Sequence, residues 1–216
     1  MPEEQSSSAW RAAAAAPFVA QAQHLEAAVA VLCKAFDRDP VTDWYLRTDA
    51  KRAWALRNQF VGILGGWALE LGHTYLAQDE GACAVLLPPD PEHQGRGVLE
   101  WVQLVERVRH NTGWARLHRV LRLIIAMDRH HVRTAPHAYL WFLGVDPARA
   151  GHGVGAVFLD AVLAHYDRQQ VPTYLENSNP RNQPFYQRLG YHSLGEYRPL
   201  FGGPPLEPMW REARAR

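Results

Sequence analysis

The sequence has almost no excess of either charge. Its 23 Lys and Arg against 22 Asp and Glu leave a formal net charge of +1 over 216 residues. A chain so balanced projects no field that would hold a polyanion, so no nucleic-acid partner is expected. Cysteine is nearly absent. Only Cys33 and Cys83 occur, each inside an apolar stretch and not as a CxxC pair, so buried, reduced thiols and a cytoplasmic location are expected. Long hydrophobic runs are missing too. None approaches the roughly 18 residues of a membrane span, so no membrane association is expected. Met1-Pro2-Glu3-Glu4 is acidic where a secretory leader is positive, and Pro17 cuts the Ala12–Ala16 run. What is present is an ordinary globular balance, 47% hydrophobic and 21% charged, in a chain long enough to bury a core unaided. Residues 1–20 read as a disordered or loosely attached tail and 21–216 as a single domain.

The hydrophobic period changes several times along that domain. Leu25, Ala28, Val31, Leu32 and Phe36 recur at helical steps until Asp39-Pro40 stops them. A second helical face starts near Thr48-Asp49 and carries Trp54, Phe60, Val61, Leu64, Trp67 and Leu71 as far as Gly72. Residues 74–77 and 82–87 read as a hairpin closed by Pro88-Pro89. After a polar loop over 90–97, helical patterns cover about 98–110 and 114–130. Then come a strand over 138–145, a helix over about 152–168, a strand over 173–176, a short helix over 182–188, and strands over 191–197 and 207–212. No repeat is visible. Helices, a hairpin, more helices and then β-α-β-α-β-β predict an α/β (α+β) layer with a mixed sheet.

The run from Leu143-Gly144-Val145 through Arg149-Ala150-Gly151-His152-Gly153-Val154-Gly155-Ala156 passes from strand through a glycine-rich loop into a helix. Alternate glycines let the backbone approach a ligand. No proline lies between Arg149 and Ala156, so every amide N–H there is available as a donor. At a helix N-terminus such donors favour a phosphate or pyrophosphate, and Arg149 and His152 add charge. Alone, three glycines are equally a flexible turn. A dinucleotide turn fits poorly, because the spacing is G-x-G-x-G and sits five residues beyond Val145.

The following segment narrows the reading. Leu175-Glu176-Asn177-Ser178-Asn179-Pro180-Arg181-Asn182 leads into Phe185-Tyr186 and Leu189-Gly190-Tyr191. Taken with Val145–Gly155, this resembles the GNAT superfamily of N-acetyltransferases. Ala35–Pro40, the hairpin end and the Leu175–Asn182 strand end resemble the puromycin N-acetyltransferase-like members. The resemblance implies a mixed, mostly antiparallel twisted sheet with splayed central parallel strands and flanking helices. It implies acetyl-coenzyme A as acyl donor, no metal, and direct transfer to the primary amine of a small molecule. A homodimer is compatible with it. Carried over, Leu143, Gly144, Val145, residues Arg149 to Ala156, Asn182, Phe185 and Tyr186 contact the donor. Tyr186 is then the acid for the leaving thiolate, whose pKa resembles the thiol value of about 8.5.

Glu176 is the carboxylate on the inner strand and a candidate base for the amine. The alternative is a polar residue bonded to neighbouring turns or to Arg181. Asn182 either contacts the donor's arm or caps the short helix. Trp44 and Tyr45 follow the Asp39-Pro40 break, where the resemblance implies an acceptor pocket; otherwise they, with Trp54 and Trp67, are core. His130, His131 and His137 lie close together without the spacing of a metal site. One departure stands out: Ala150 occupies the place where the superfamily loop carries Gln or Arg. A degenerate member that binds acyl-coenzyme A without efficient transfer therefore remains the alternative to an active enzyme.

Overall fold

Every residue of Ala82–Leu86 is buried, which in an extended chain requires cover on both faces. Ala82, Ala84 and Leu86 face one hydrophobic cluster, and Cys83 and Val85 face the other. That strand lies within a sheet whose order organises the molecule. The computed structural model describes residues 2–89, 108–199 and 202–215. Among them, β1 (Phe18–Val19), β2 (Thr74–Leu76), β3 (Ala82–Leu87), β4 (Ala138–Val145), β5 (Thr173–Asn177), β6 (His192–Ser193) and β7 (Glu207–Arg211) form one sheet in the order β1-β2-β3-β4-β5-β7-β6. Every pairing is antiparallel except β4 with β5. This is the mixed, mostly antiparallel α/β architecture expected.

The helices are α1 (Pro2–Ala15), α2 (Leu25–Phe36), α3 (Pro40–Tyr45), α4 (Arg52–Ile63), α5 (Leu117–His130), α6 (Val154–Arg168) and α7 (Gln183–Arg188). On one face α2 and α4 close a cluster with Leu76, Cys83 and Val85. On the other, Phe158, Leu159, Val162 and Leu163 of α6 pack on Ala84, Leu140 and Leu175. The polar loop at 90–97 and most of the helix expected over 98–110 lie outside the described residues; 108–112 are helical. No helix among the described residues is long and apolar enough to cross a membrane.

Three expectations are corrected. The first residues are not a loose tail. Residues 2–15 form α1, which docks on α6, and Ala14 is fully buried in the core. The peptide N–H of Gln78 donates to Ala13 O (3.2 Å), and Phe18–Val19 adds an edge strand to β2. Secondly, Asp39-Pro40 does not only stop α2. Asp39 Oδ1 accepts from Val41 N (3.0 Å) and Thr42 N (2.9 Å), capping α3 with Pro40 in its first turn. Thirdly, Trp54 is half exposed, its ring edge-on to His110 instead of in the core. The helix expected from Thr48-Asp49 begins at Arg52 and ends in a π-turn over Leu64–Ala68.

Candidate active site

The parallel pairing of β4 with β5 lasts three residues, Ala138–Leu140 against Thr173–Leu175. Beyond it β4 stays with β3 as far as Val145, while β5 stays with β7 as far as Asn177. The two strands therefore splay, and the gap opens between their C-terminal ends. Asp146 N–H donates to Gly81 O (2.9 Å) on the β3 side. Peptide groups alternate in direction along a strand, so that of Gly144 turns toward β3, and those of Leu143 and Val145 turn toward the gap.

The gap holds a cavity of about 500 Å³. Leu143, Glu176, Asn182 and Tyr186 line it, together with Asp39 and Ser178. At Gly144 a Cβ would lie 3.0 Å from side chains of Leu32 and Ala35. Glycine at that position lets α2 close tightly over the strand.

Glu176 is held by three phenols rather than by a turn or by Arg181. It accepts from Tyr197 (2.7 Å) and Tyr174 (3.2 Å) at Oε1 and from Tyr139 (2.9 Å) at Oε2. Burial pushes its pKa up, and the three phenols pull it partly back. Across the cavity, Asp39 Oδ2 accepts from Ser178 Oγ (2.5 Å), joining the α2–α3 turn to the end of β5. Burial raises its pKa as well, against the bonds from Ser178, Thr42 and Val41. Two half-buried carboxylates with raised pKa thus face one cavity. Sequence alone marks only Glu176, because Asp39 followed by Pro40 has the pattern of a helix stop. An Asp immediately before Pro is also an N-cap signature, and a side chain that caps with one oxygen keeps the other for the site.

Tyr186 is buried on α7, and desolvation raises its phenol pKa. Its ring packs against Phe185 and Tyr191. Tyr186 borders the cavity. Asn182 occupies the N-cap position of α7, but its side chain does not cap. Asn179 instead caps the preceding turn by accepting from Arg181 N (3.2 Å). Asn182 lines the cavity.

Pro147 lines this cavity, and the glycines that follow it lie beside the cavity. Asp146 caps the turn that follows β4, accepting from Ala148 N (3.0 Å), and pairs with Lys34 (2.7 Å). Lys34 holds its carboxyl below the usual range. Gly151 (φ 81°) and Gly153 (φ 74°) take left-handed conformations that favour glycine. A Cβ at Gly155 would lie 3.3 Å from Val145 and 3.5 Å from Phe185, so glycine lets α6 begin close to the strand end. Val157 N donates to Gly153 O (3.2 Å). The preceding amides of Val154, Gly155 and Ala156 have no acceptor within the helix.

Two expected contributors are engaged elsewhere. Arg149 pairs with Asp79 (2.5 Å), covers Gly81 and lies over the Trp10 ring (5.4 Å to its centre). His152 meets the same indole edge-on at 5.4 Å. Trp44 and Tyr45 do not line the cavity. The Tyr45 hydroxyl donates to Gln59 (2.7 Å) and burial pushes its pKa up to about 12. Trp44 lies under Arg119 and packs with Val41, Leu123 and Tyr197. The clustered histidines are aromatic packing: His130 stacks on Tyr197 at 3.9 Å, and His131 and His137 pack around Tyr174. Burial pushes the His131 pKa down to about 4.

Residues 100–191 match the model of the Acetyltransferase (GNAT) family. Solved structures repeat the fold. A Corynebacterium glutamicum structure described as histone acetyltransferase HPA2 and related acetyltransferase is 23% identical, covers 93% of this chain and 97% of its own, and superposes with a TM-score of 0.69. Arylalkylamine N-acetyltransferase 2 from Aedes aegypti is 11% identical over 92% of this chain and 99% of its own, at 0.64. Polyamine N-acetyltransferase from Drosophila melanogaster is 16% identical over 91% and 99%, at 0.58. At these identities the structures establish the fold. The family match spans less than half of the chain.

Proposed function

We propose that this chain is an acetyl-coenzyme A-dependent N-acetyltransferase that passes acetyl directly to the primary amine of a small molecule. One observation carries the reading: the splayed β4–β5 gap opens on a cavity lined by Glu176, Asn182 and Tyr186, beside a glycine loop with free helix N-terminal amides. Two relatives by fold are named as arylalkylamine and polyamine N-acetyltransferases, which favours an amine acceptor. The strand ends that resemble puromycin N-acetyltransferase-like members favour a small molecule.

The donor supplies a thioester; this chain supplies its surroundings. The Val145 N–H, turned into the gap, is the donor for the carbonyl oxygen as charge builds there. An alkyl amine with a pKa of about 10.4 must lose a proton before attack. Glu176, with Asp39 as the second candidate, accepts it. The C–N bond forms, the C–S bond breaks, and the Tyr186 hydroxyl donates to the leaving sulfur. Because burial raises that phenol's pKa, its contribution is a hydrogen bond to a thiolate more acidic than itself, and the amine's proton finally neutralises the thiolate. The Asn182 amide serves the donor's arm.

The competing reading, acyl-coenzyme A binding without transfer, rests on Ala150 and on Arg149 being held by Asp79. A thiol-release assay over a panel of amines separates the two. Tyr186→Phe should lower kcat about 100-fold while acetyl-coenzyme A affinity stays near that of the parent. An unchanged kcat would remove Tyr186 from the reaction, and no turnover with any amine would leave the binding-only reading.

A further inference from the structure

The glycine loop lacks a cation where one is expected. Position 150 is alanine, and Arg149 is consumed by Asp79 and Trp10. The N-terminal helix α1, which covers the start of α6, brings another. A Cβ on Gly153 would lie 3.9 Å from Arg11 Cδ. Trp10, next to Arg11, is fixed between the Arg149 guanidinium and the His152 ring, so the register of α1 on the loop is set. Arg11 is exposed and, among the described residues, has no hydrogen bond or ion pair. Its side chain, with Cδ beside Gly153 at the turn that begins α6, carries an uncommitted, planar, multi-donor cation of the kind suited to phosphate oxygens.

We propose that Arg11 is a phosphate-binding residue for the diphosphate-bearing donor, carried by α1 and taking over the charge that Ala150 lacks. This rests on the acetyl-coenzyme A reading above. The test is equilibrium titration of acetyl-coenzyme A and of phosphate-free S-acetyl-pantetheine into the full chain and its Arg11→Lys, Arg11→Ala and Arg11→Glu variants, at two salt concentrations. The dissociation constant for acetyl-coenzyme A should rise about tenfold in Arg11→Glu and less in Arg11→Ala. Arg11→Lys should recover part of the loss, and the salt dependence should become shallower. Binding of S-acetyl-pantetheine should not change. Unchanged acetyl-coenzyme A affinity in Arg11→Glu overturns the proposal, and so does equal weakening for the phosphate-free ligand. If the parent chain itself fails to bind acetyl-coenzyme A, the reading of the site falls first, and that result is visible without any variant.

Discussion

Asp39 and Glu176 are the two candidate bases of the proposed reaction, and their environments differ in kind. Glu176 is caged by the hydroxyls of Tyr139, Tyr174 and Tyr197, which favour its ionised form. Asp39 is tied to two backbone amides and Ser178. Burial is the larger influence on both and raises both pKa values. A raised pKa means that the carboxyl keeps its proton to higher pH. The base form, and kcat/KM with it, should therefore rise with pH above the ordinary carboxylate value of about 4.3. Glu176→Gln and Asp39→Asn separate the two. The substitution that removes the acid limb of the pH–rate profile and lowers kcat/KM about 100-fold identifies the base. The other should leave that limb in place. If both limbs survive, neither carboxylate takes the proton, and water must.

At the scale of elements, the C-terminal strand is locked to the helix that follows the glycine loop. Arg211 of β7 donates from Nη1 and Nη2 to the two carboxylate oxygens of Asp167 on α6 (2.7 and 2.8 Å) and from Nε to Leu189 O (2.9 Å). Both side chains are almost wholly buried, and Arg214 N adds a fourth bond (3.0 Å) to Asp167 Oδ1. Removing one partner leaves a desolvated charge, so Asp167→Ala should lower the unfolding free energy by about 3–5 kcal/mol, read by urea denaturation. A loss below about 1 kcal/mol would mean that water re-solvates the guanidinium. This pair illustrates what one sequence conceals. Strands β3, β4 and β5 and helices α2 and α6 were legible, because apolar period and glycine or proline breaks are local signals. The Arg211–Asp167 pair, the tyrosine cage on Glu176 and the second role of Asp39 depend on which residues meet across the sheet. No spacing encodes that. Trp54 was misread for a related reason: a helical stripe says which face is apolar, not how far its edge is covered.

For the molecule as a whole, the N-terminal segment carries more of the fold than its composition suggests. Small residues and an isolated Trp10 look like an unstructured tail, because alanines bury little area each. In the fold they belong to the core and its cover. Ala14 fits flat into the core beside Tyr75, Ala77 and Ala82, and only a small side chain lets α1 lie so close. Gln78 Nε2 donates to Ala16 O (2.9 Å), fastening the end of the segment to the β2–β3 turn. Two outcomes separate an integral helix from an appendage. Deleting residues 2–16 uncovers apolar surface on α6 and the β2–β3 turn, and should cost about 2–5 kcal/mol of unfolding free energy. The same surface can be attacked without deletion: Ala14→Asp places an unpaired carboxylate in the core and should destabilise comparably. If α1 were only a tail, neither change would move the denaturation midpoint. The exposed substitution Arg11→Ala should leave that midpoint unchanged in either case, which separates support of the fold by α1 from any part Arg11 takes in binding phosphate.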